Sequence, residues 1–288
     1  MAQLETLASG YGLIEGPVWH DEHGLLFSDV LFGGVFSLRN GVVTEVISHR
    51  RGIGGMAWHE AGGLVVSGRN IAFKRLGNDP SITLLDKNED AGLVGFNDLT
   101  TDRQGRVYAG GLGASPVFAD GRKPRAGDLW LIDLDGSAKV VMPDIQLTNG
   151  LGFSPDGKKL FHSDSRRRAM NCYDVHDDGS LGEKKVFVTP QKGVPDGLVV
   201  DAEGTVWIAL AGEGHGVAGF GFDGRPRGFI RIPEPMCTSV CFGGADLRDL
   251  YIVSGSEGSG KEKGGGVHRL RMDTPGVFKS PARVKIPV

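Results

Sequence analysis

A chain of 288 residues, 40% of them apolar, is longer than most small modules but within reach of one large all-β domain. Lys and Arg (32) nearly balance Asp and Glu (35), for a formal net charge of -3. That balance excludes nucleic acid and other polyanions as expected partners, and no stretch approaches the roughly 18 apolar residues of a membrane span.

Taken in chain order, six short units repeat. The first reads Gly16-Pro17-Val18-Trp19-His20, a turn through Asp21 to Gly24, then Leu25-Leu26-Phe27-Ser28. The second runs Gly55 to His59, turns at Gly62-Gly63, and resumes at Leu64-Val65-Val66-Ser67. The third pairs Asp98 to Asp102 with Arg106 to Ala109, and the fourth pairs Gly150 to Ser154 with Lys159 to His162. The fifth pairs Gly197 to Asp201 with Thr205 to Ile208, and the sixth pairs Ser239 to Phe242 with Leu250 to Val253. Each is strand, Asp/Gly-rich turn, strand, as short hairpins require, and the 47 glycines are spread along the chain to serve such turns. A second hairpin follows most units, as at Asp128-Leu129-Trp130-Leu131-Ile132. Four short strands per unit at a period of about 40 to 50 residues match one propeller blade. The expectation is an all-β, six-bladed β-propeller with four antiparallel strands per blade, one domain over residues 1–288. The spare segment Gln3 to Ala8 is expected to pair with the last blade and close the ring, since an open ring would expose strand edges.

The residues that precede the inner strands are, in order, Glu15, Gly54, Asn97, Asn149, Asp196 and Thr238. In a propeller these equivalent positions surround one end of the central channel. Glu15, Asn97, Asn149 and Asp196 bring two carboxylates and two carboxamides together, an arrangement that is costly unless a cation compensates it. An all-oxygen set selects a hard divalent ion, Ca²⁺, Mg²⁺ or Mn²⁺, over a thiolate-loving metal. The eight histidines show no metal spacing. His162-Ser163-Asp164 holds triad residue types, but neighbours on one strand point to opposite faces.

Glu15-Gly16-Pro17-Val18-Trp19, Asn97-Asp98, Thr148-Asn149-Gly150-Leu151, Pro195-Asp196-Gly197-Leu198 and Thr238-Ser239-Val240 resemble the SMP-30/gluconolactonase/regucalcin-like family across nearly the whole chain. The resemblance implies a lactonase with one divalent metal ion, Ca²⁺ foremost, with Mg²⁺, Mn²⁺ or Zn²⁺ as alternatives. It implies that Glu15, Asn149 and Asp196 bind the metal, and that Asn97 contacts metal or substrate. Several sugar lactonases of the family carry an arginine two residues before that Asn. Here the position is Gly95, followed by apolar Phe96, so Phe96, Asn97 and Asp98 become the expected substrate contacts and a less hydroxylated lactone enters consideration.

The expected reaction is hydrolysis of a small lactone with its carbonyl polarised by the cation and Asp196 as general base. Rival readings are a phosphotriester or fluorophosphate hydrolase on the same site, and a non-catalytic Ca²⁺-binding propeller. Leu112 to Gly127, carrying Ser115, Pro116, Phe118, Asp120 and Arg122, is a candidate lid, whereas Arg50, Arg51, Arg69 and the triplet Arg166 to Arg168 read as solvated charges. Cys237 and Cys241, four residues apart along a strand, are separated by roughly 13 Å and cannot pair. With Cys172 they read as free thiols of a reducing compartment. Met1 to Gly10 shows no signal-peptide pattern, which makes a cytoplasmic location the expectation.

Overall fold

The structure is a computed structural model that describes residues 3–118 and 121–287; Asp120 of the expected lid lies outside the described residues. β1 (Glu5–Tyr11) comes first. β2 (Ile14–His20), β3 (Gly24–Asp29), β4 (Val35–Arg39) and β5 (Val42–Ile47) form one four-stranded antiparallel sheet. β6 (Met56–Trp58), β7 (Leu64–Val66), β8 (Ile71–Lys74) and β9 (Ile82–Leu85) form the next. β10 (Gly95–Thr101), β11 (Val107–Leu112), β12 (Gly127–Ile132) and β13 (Ala138–Ile145) follow, then β14 (Thr148–Phe153), β15 (Lys159–Asp164), β16 (Ala169–Asp174) and β17 (Lys185–Val188). An eight-stranded sheet completes the fold. One half is β18 (Val194–Val200), β19 (Val206–Ala211), β20 (Gly216–Phe220) and β21 (Pro226–Arg231). The other half is β22 (Met236–Gly243), β23 (Asp249–Gly255), β24 (Gly265–Arg271) and β1, and the single pair Ala211↔Met236 joins the halves. The architecture is all-β and propeller-like, built from four-strand repeats. No helix among the described residues is long and apolar enough to cross a membrane.

The hairpin turns form where the Asp/Gly pattern places them. Asp102 accepts the backbone N–H groups of Gln104 (2.9 Å) and Arg106 (3.0 Å), and Asp201 those of Glu203 (3.0 Å) and Thr205 (2.8 Å). Gly105 and Gly204 occupy φ of +89° and +87°, where a side chain would be strained.

The core lies between adjacent sheets. Leu26, Val35 and Ile47 of the first sheet pack on Met56, Leu64 and Val66 of the second, and Tyr108 and Leu129 of the third pack on Leu151, Leu160 and Tyr173 of the fourth. A strand covered on both faces is buried along its whole length, and all six residues of β3, Ser28 and Asp29 included, are buried. Each fully buried Val, Leu or Ile contributes roughly 1.5–3 kcal/mol. The circle closes where Ile14, Leu25 and Phe27 meet Cys241, Tyr251 and Val253.

Two polar contacts reinforce that closure. β1 pairs antiparallel with β24, from Glu5↔Arg269 to Tyr11↔Gly265, so the spare N-terminal segment covers the last edge. The buried Thr238 hydroxyl donates to the Ile14 carbonyl (2.6 Å), with the Val253 carbonyl 3.1 Å away. Thr238→Val keeps the shape and removes the donor. It should destabilise the protein by about 1–2 kcal/mol and lower the calorimetric Tm by a few degrees with unchanged far-UV circular dichroism; an unaltered Tm would show the bond to be idle.

Candidate functional site

Glu15, Asn97, Asn149 and Asp196 all line one cavity of about 660 Å³. Each sits near the start of an inner strand, where that strand departs from regular pairing. The register slips between Glu15 and Val18, Phe96 and Leu99, Thr148 and Leu151, and Pro195 and Leu198. A bulge bends its strand and re-aims the side chain it carries. Glycine makes the crowding possible: a β-carbon on Gly54 would lie 2.4 Å from Asn97 Oδ1, and one on Gly150 2.5 Å from the Asp196 carbonyl. The expected ring position Gly54 therefore contributes space, and Thr238 contributes the closing hydrogen bond.

The two amides are held in one network. Asn97 Nδ2 donates to the Thr148 carbonyl (2.9 Å) and to Asn149 Oδ1 (3.0 Å). Asn149 Nδ2 donates to Ser165 Oγ (3.1 Å), whose own hydroxyl donates to the Pro195 carbonyl (2.6 Å). Both amide nitrogens are thereby committed, which leaves Asn97 Oδ1 and the remaining lone pair of Asn149 Oδ1 as electron-pair donors.

The carboxyls are under electrostatic stress. Burial, then the charges of Asp196 and Asp98, push Glu15 well above the ordinary carboxylate range, against the backbone N–H of Gly16. Burial, then Asp98, pushes Asp196 well up too. Asp98 is raised to about 6 by burial, with Lys279 and the backbone N–H groups of Leu99 and Leu151 opposing. Like charges gathered in such surroundings repel one another more strongly than they would in water. Asp196 is 7% exposed, and its Oδ1 is buried without a hydrogen-bond partner. A partnerless buried carboxylate oxygen beside a second carboxylate and two amide oxygens fits a hard divalent cation, which would satisfy the oxygen and cancel the repulsion.

The remaining expectations divide. Phe96 is a correction: it is 1% exposed and packs with Ile71, Leu93 and Leu99 in the core, facing away from the cavity. Asp98 acts on the site by charge but is not among the residues lining the cavity. A β-carbon on Gly95 would lie 2.9 Å from the Gly68 carbonyl, so that position has no room for a side chain without a backbone shift. Of the lid, Pro116 and Val117 line the cavity, while Phe118 lies under the Arg51 guanidinium, 5.4 Å from the ring centre. Arg51 in turn donates to the Leu31 carbonyl, which makes it a strut. The three cysteines are free.

His162, Ser163 and Asp164 form no triad. His162 is buried, with Nε2 2.8 Å from Thr148 Oγ1, and Ser163 donates to the Asp196 carbonyl (2.6 Å). Sequence reasoning missed these hydroxyls, although Ser28, Ser67, Ser163 and Ser254 recur at equivalent places in their units. Ser28 donates to the Ile53 carbonyl (2.7 Å), and Ser67 accepts the N–H groups of Gly54 (3.1 Å) and Gly55 (2.8 Å). The histidines also hold a surprise: His20, Glu22 and His23, around the β2–β3 turn, bring ligand atoms within 4.8 Å of one another. That nitrogen-rich group differs chemically from the all-oxygen cavity.

Fold and site together define a propeller-like protein with a buried oxygen-lined cavity suited to a cation. The chain belongs to the SMP-30/gluconolactonase/LRE-like family, whose model matches residues 13–256. It is 32% identical to the 6-deoxy-6-sulfogluconolactonase of Pseudomonas putida, covering 91% of this chain and 92% of that one. It is 30% identical to the pentonolactonase XacC of Haloferax volcanii, covering 94% and 95%. In fold it matches a luciferin-regenerating enzyme with a TM-score of 0.86 at 23% identity, over 99% of this chain and 100% of that one.

Burial lowers His162 from 6.5 to about 4. The unfolded chain takes up this proton below about pH 6.5 and the folded chain only near pH 4, so the associated stability is complete above 6.5 and is lost as pH falls toward 4. The loss across that window is on the order of 3 kcal/mol. In urea titrations from pH 7 to 4, His162→Gln should show a shallower fall in stability than the parent; parallel curves would mean that His162 does not titrate in this window.

Proposed function

We propose that the chain is a lactonase whose cavity holds one divalent cation between Glu15, Asn149 and Asp196, with Asn97 as a fourth oxygen donor. The observation that carries the reading is Asp196 Oδ1, buried and partnerless among like-charged neighbours in a cavity lined by these four residues. Relatives named for lactonase activity at 30–32% identity support the substrate class, a small cyclic ester. We read the eight-stranded sheet as two blades, which makes a six-bladed propeller in a single domain over 1–288. Ca²⁺ is the preferred ion of an all-oxygen site with two neutral donors, and the free cysteines accord with a cytoplasmic location.

The chemistry supplied by such an ion when bound is polarisation of the lactone carbonyl. Glu15 contributes negative charge that anchors the site, and Asn97 and Asn149 contribute neutral oxygens whose direction the amide network fixes. Asp196, as carboxylate, accepts a proton from the water that attacks the carbonyl carbon. The new carbon–oxygen bond forms as that proton leaves, the ring carbon–oxygen bond breaks, and the released alkoxide recovers a proton from Asp196. Asp98 adds negative charge behind Asp196 and Glu15, which strengthens cation binding when it is ionised.

Chelation should abolish lactone turnover, and Ca²⁺ should restore it. Asp196→Asn should lower kcat at least a thousandfold with the fold intact by circular dichroism. A Ca²⁺ concentration a hundred times Kd adds about 2.7 kcal/mol of stability, a Tm rise of roughly 5 °C. Glu15→Gln should lose that rise while melting higher than the parent in chelator, because it relieves repulsion. Turnover unaffected by chelator would refute the reading, and phosphotriesters cleaved in preference to lactones would redirect it to phosphoryl centres.

A further inference from the structure

The cavity above the four oxygen donors is much larger than a lactone ring, and its walls are apolar. Leu13, Val30, Leu147, Val194 and Met236 line it, with Val117 reaching in from the loop after β11. Among the described lining residues there is no Lys, Arg, His, Gln or Tyr. Outside the proposed ligands, the polar side chains are Ser165, Ser256 and Glu257, and Glu257 is exposed at the rim. Ser165 already spends its hydroxyl hydrogen on the Pro195 carbonyl and accepts from Asn149.

Two of these walls are held in place by buried carboxylates. Asp29 accepts the N–H groups of Gly12 (2.8 Å), Leu13 (3.4 Å), Leu31 (3.1 Å) and Phe32 (3.1 Å). Asp164 accepts those of Gln146 (3.1 Å) and Leu147 (3.1 Å). Asp29 and Asp164 are 2% and 0% exposed. The segments that present Leu13 and Leu147 are therefore anchored before any ligand arrives, so apolar contact is gained without ordering a loop.

We infer that the substrate is a lactone bearing an alkyl or aryl substituent, with the substituent lying against the wall of Leu13, Leu147, Val194 and Met236. The inference rests on the lactonase reading and narrows it. A polyhydroxylated lactone would bury several hydroxyls here with few partners, at a loss of roughly 5- to 150-fold in binding for each one left unpaired. An alkyl chain gains about fourfold in binding per buried methylene, the equivalent of ~0.8 kcal/mol.

The test is kcat/KM of the Ca²⁺-loaded full chain on δ-valerolactone, δ-hexalactone, δ-octalactone, δ-decalactone and glucono-δ-lactone. Turnover efficiency should rise by about fourfold per methylene over the first steps, reach at least tenfold for δ-octalactone over δ-valerolactone, and be lowest for glucono-δ-lactone. Leu147→Ser and Met236→Ser should each cut the ratio of δ-octalactone to δ-valerolactone by about fivefold or more, a ratio that partial misfolding would leave alone. A flat or falling series, a ratio unmoved by both variants, or preference for glucono-δ-lactone overturns the substituent preference and leaves the lactonase standing. No opening of any of the five removes the lactonase reading and this inference with it.

Discussion

Glu15 and Asp196 line one cavity, the charge of Asp98 bears on both from outside its lining, and the one cation among the described residues opposing these charges is Lys279, which acts on Asp98. That crowding is the constraint on which the rest of the structure turns. Carboxylates in low-dielectric surroundings resist ionisation and push on one another. The fold nonetheless holds them together, because each rides on a strand locked between apolar layers. The layers of Leu, Val and Ile between sheets contribute the stability that makes the crowding tolerable.

Position within the crowd is set by small groups. Bulges in the inner strands turn the acidic and amide side chains into the cavity, and Gly54 and Gly150 clear the volume that those turns require. Hydroxyls then tie one sheet to the next at the same level: Ser28 to Ile53, Ser163 to Asp196, and Thr238 to Ile14. The four oxygen donors thus all ride on strands, at their bulges, and such placement favours precise donor geometry. Loops supply the other half. Leu13, Leu147 and Val117 come from connections, and they decide what can stand above the donors.

Much of this was legible in the sequence because the governing patterns are local. The Asp/Gly turns spell out the hairpins, and the common register of Glu15, Asn97, Asn149 and Asp196 marks their shared cavity. Phe96 departs from the expectation because alternation along a strand sends it to the face opposite its neighbour, into the core. The bulge then turns both Asn97 and Asp98 away from regular alternation, an effect no residue pattern announces. Ser165 and the His20, Glu22, His23 group were missed for a different reason. The partners of Ser165, Asn149 and Pro195, come from separate strands, whereas His20, Glu22 and His23 lie within four consecutive residues and are gathered by the β2–β3 turn, a spacing outside the familiar metal motifs.

The central question for this molecule is whether Asp196 and its neighbours ligate a common ion. Crystals grown with Mn²⁺ and measured at its absorption edge test this directly. One anomalous peak is expected within bonding distance of Glu15, Asn149 and Asp196 oxygens. A cavity without such a peak in crystals that carry Mn²⁺ elsewhere, for example at His20 and His23, would contradict that expectation.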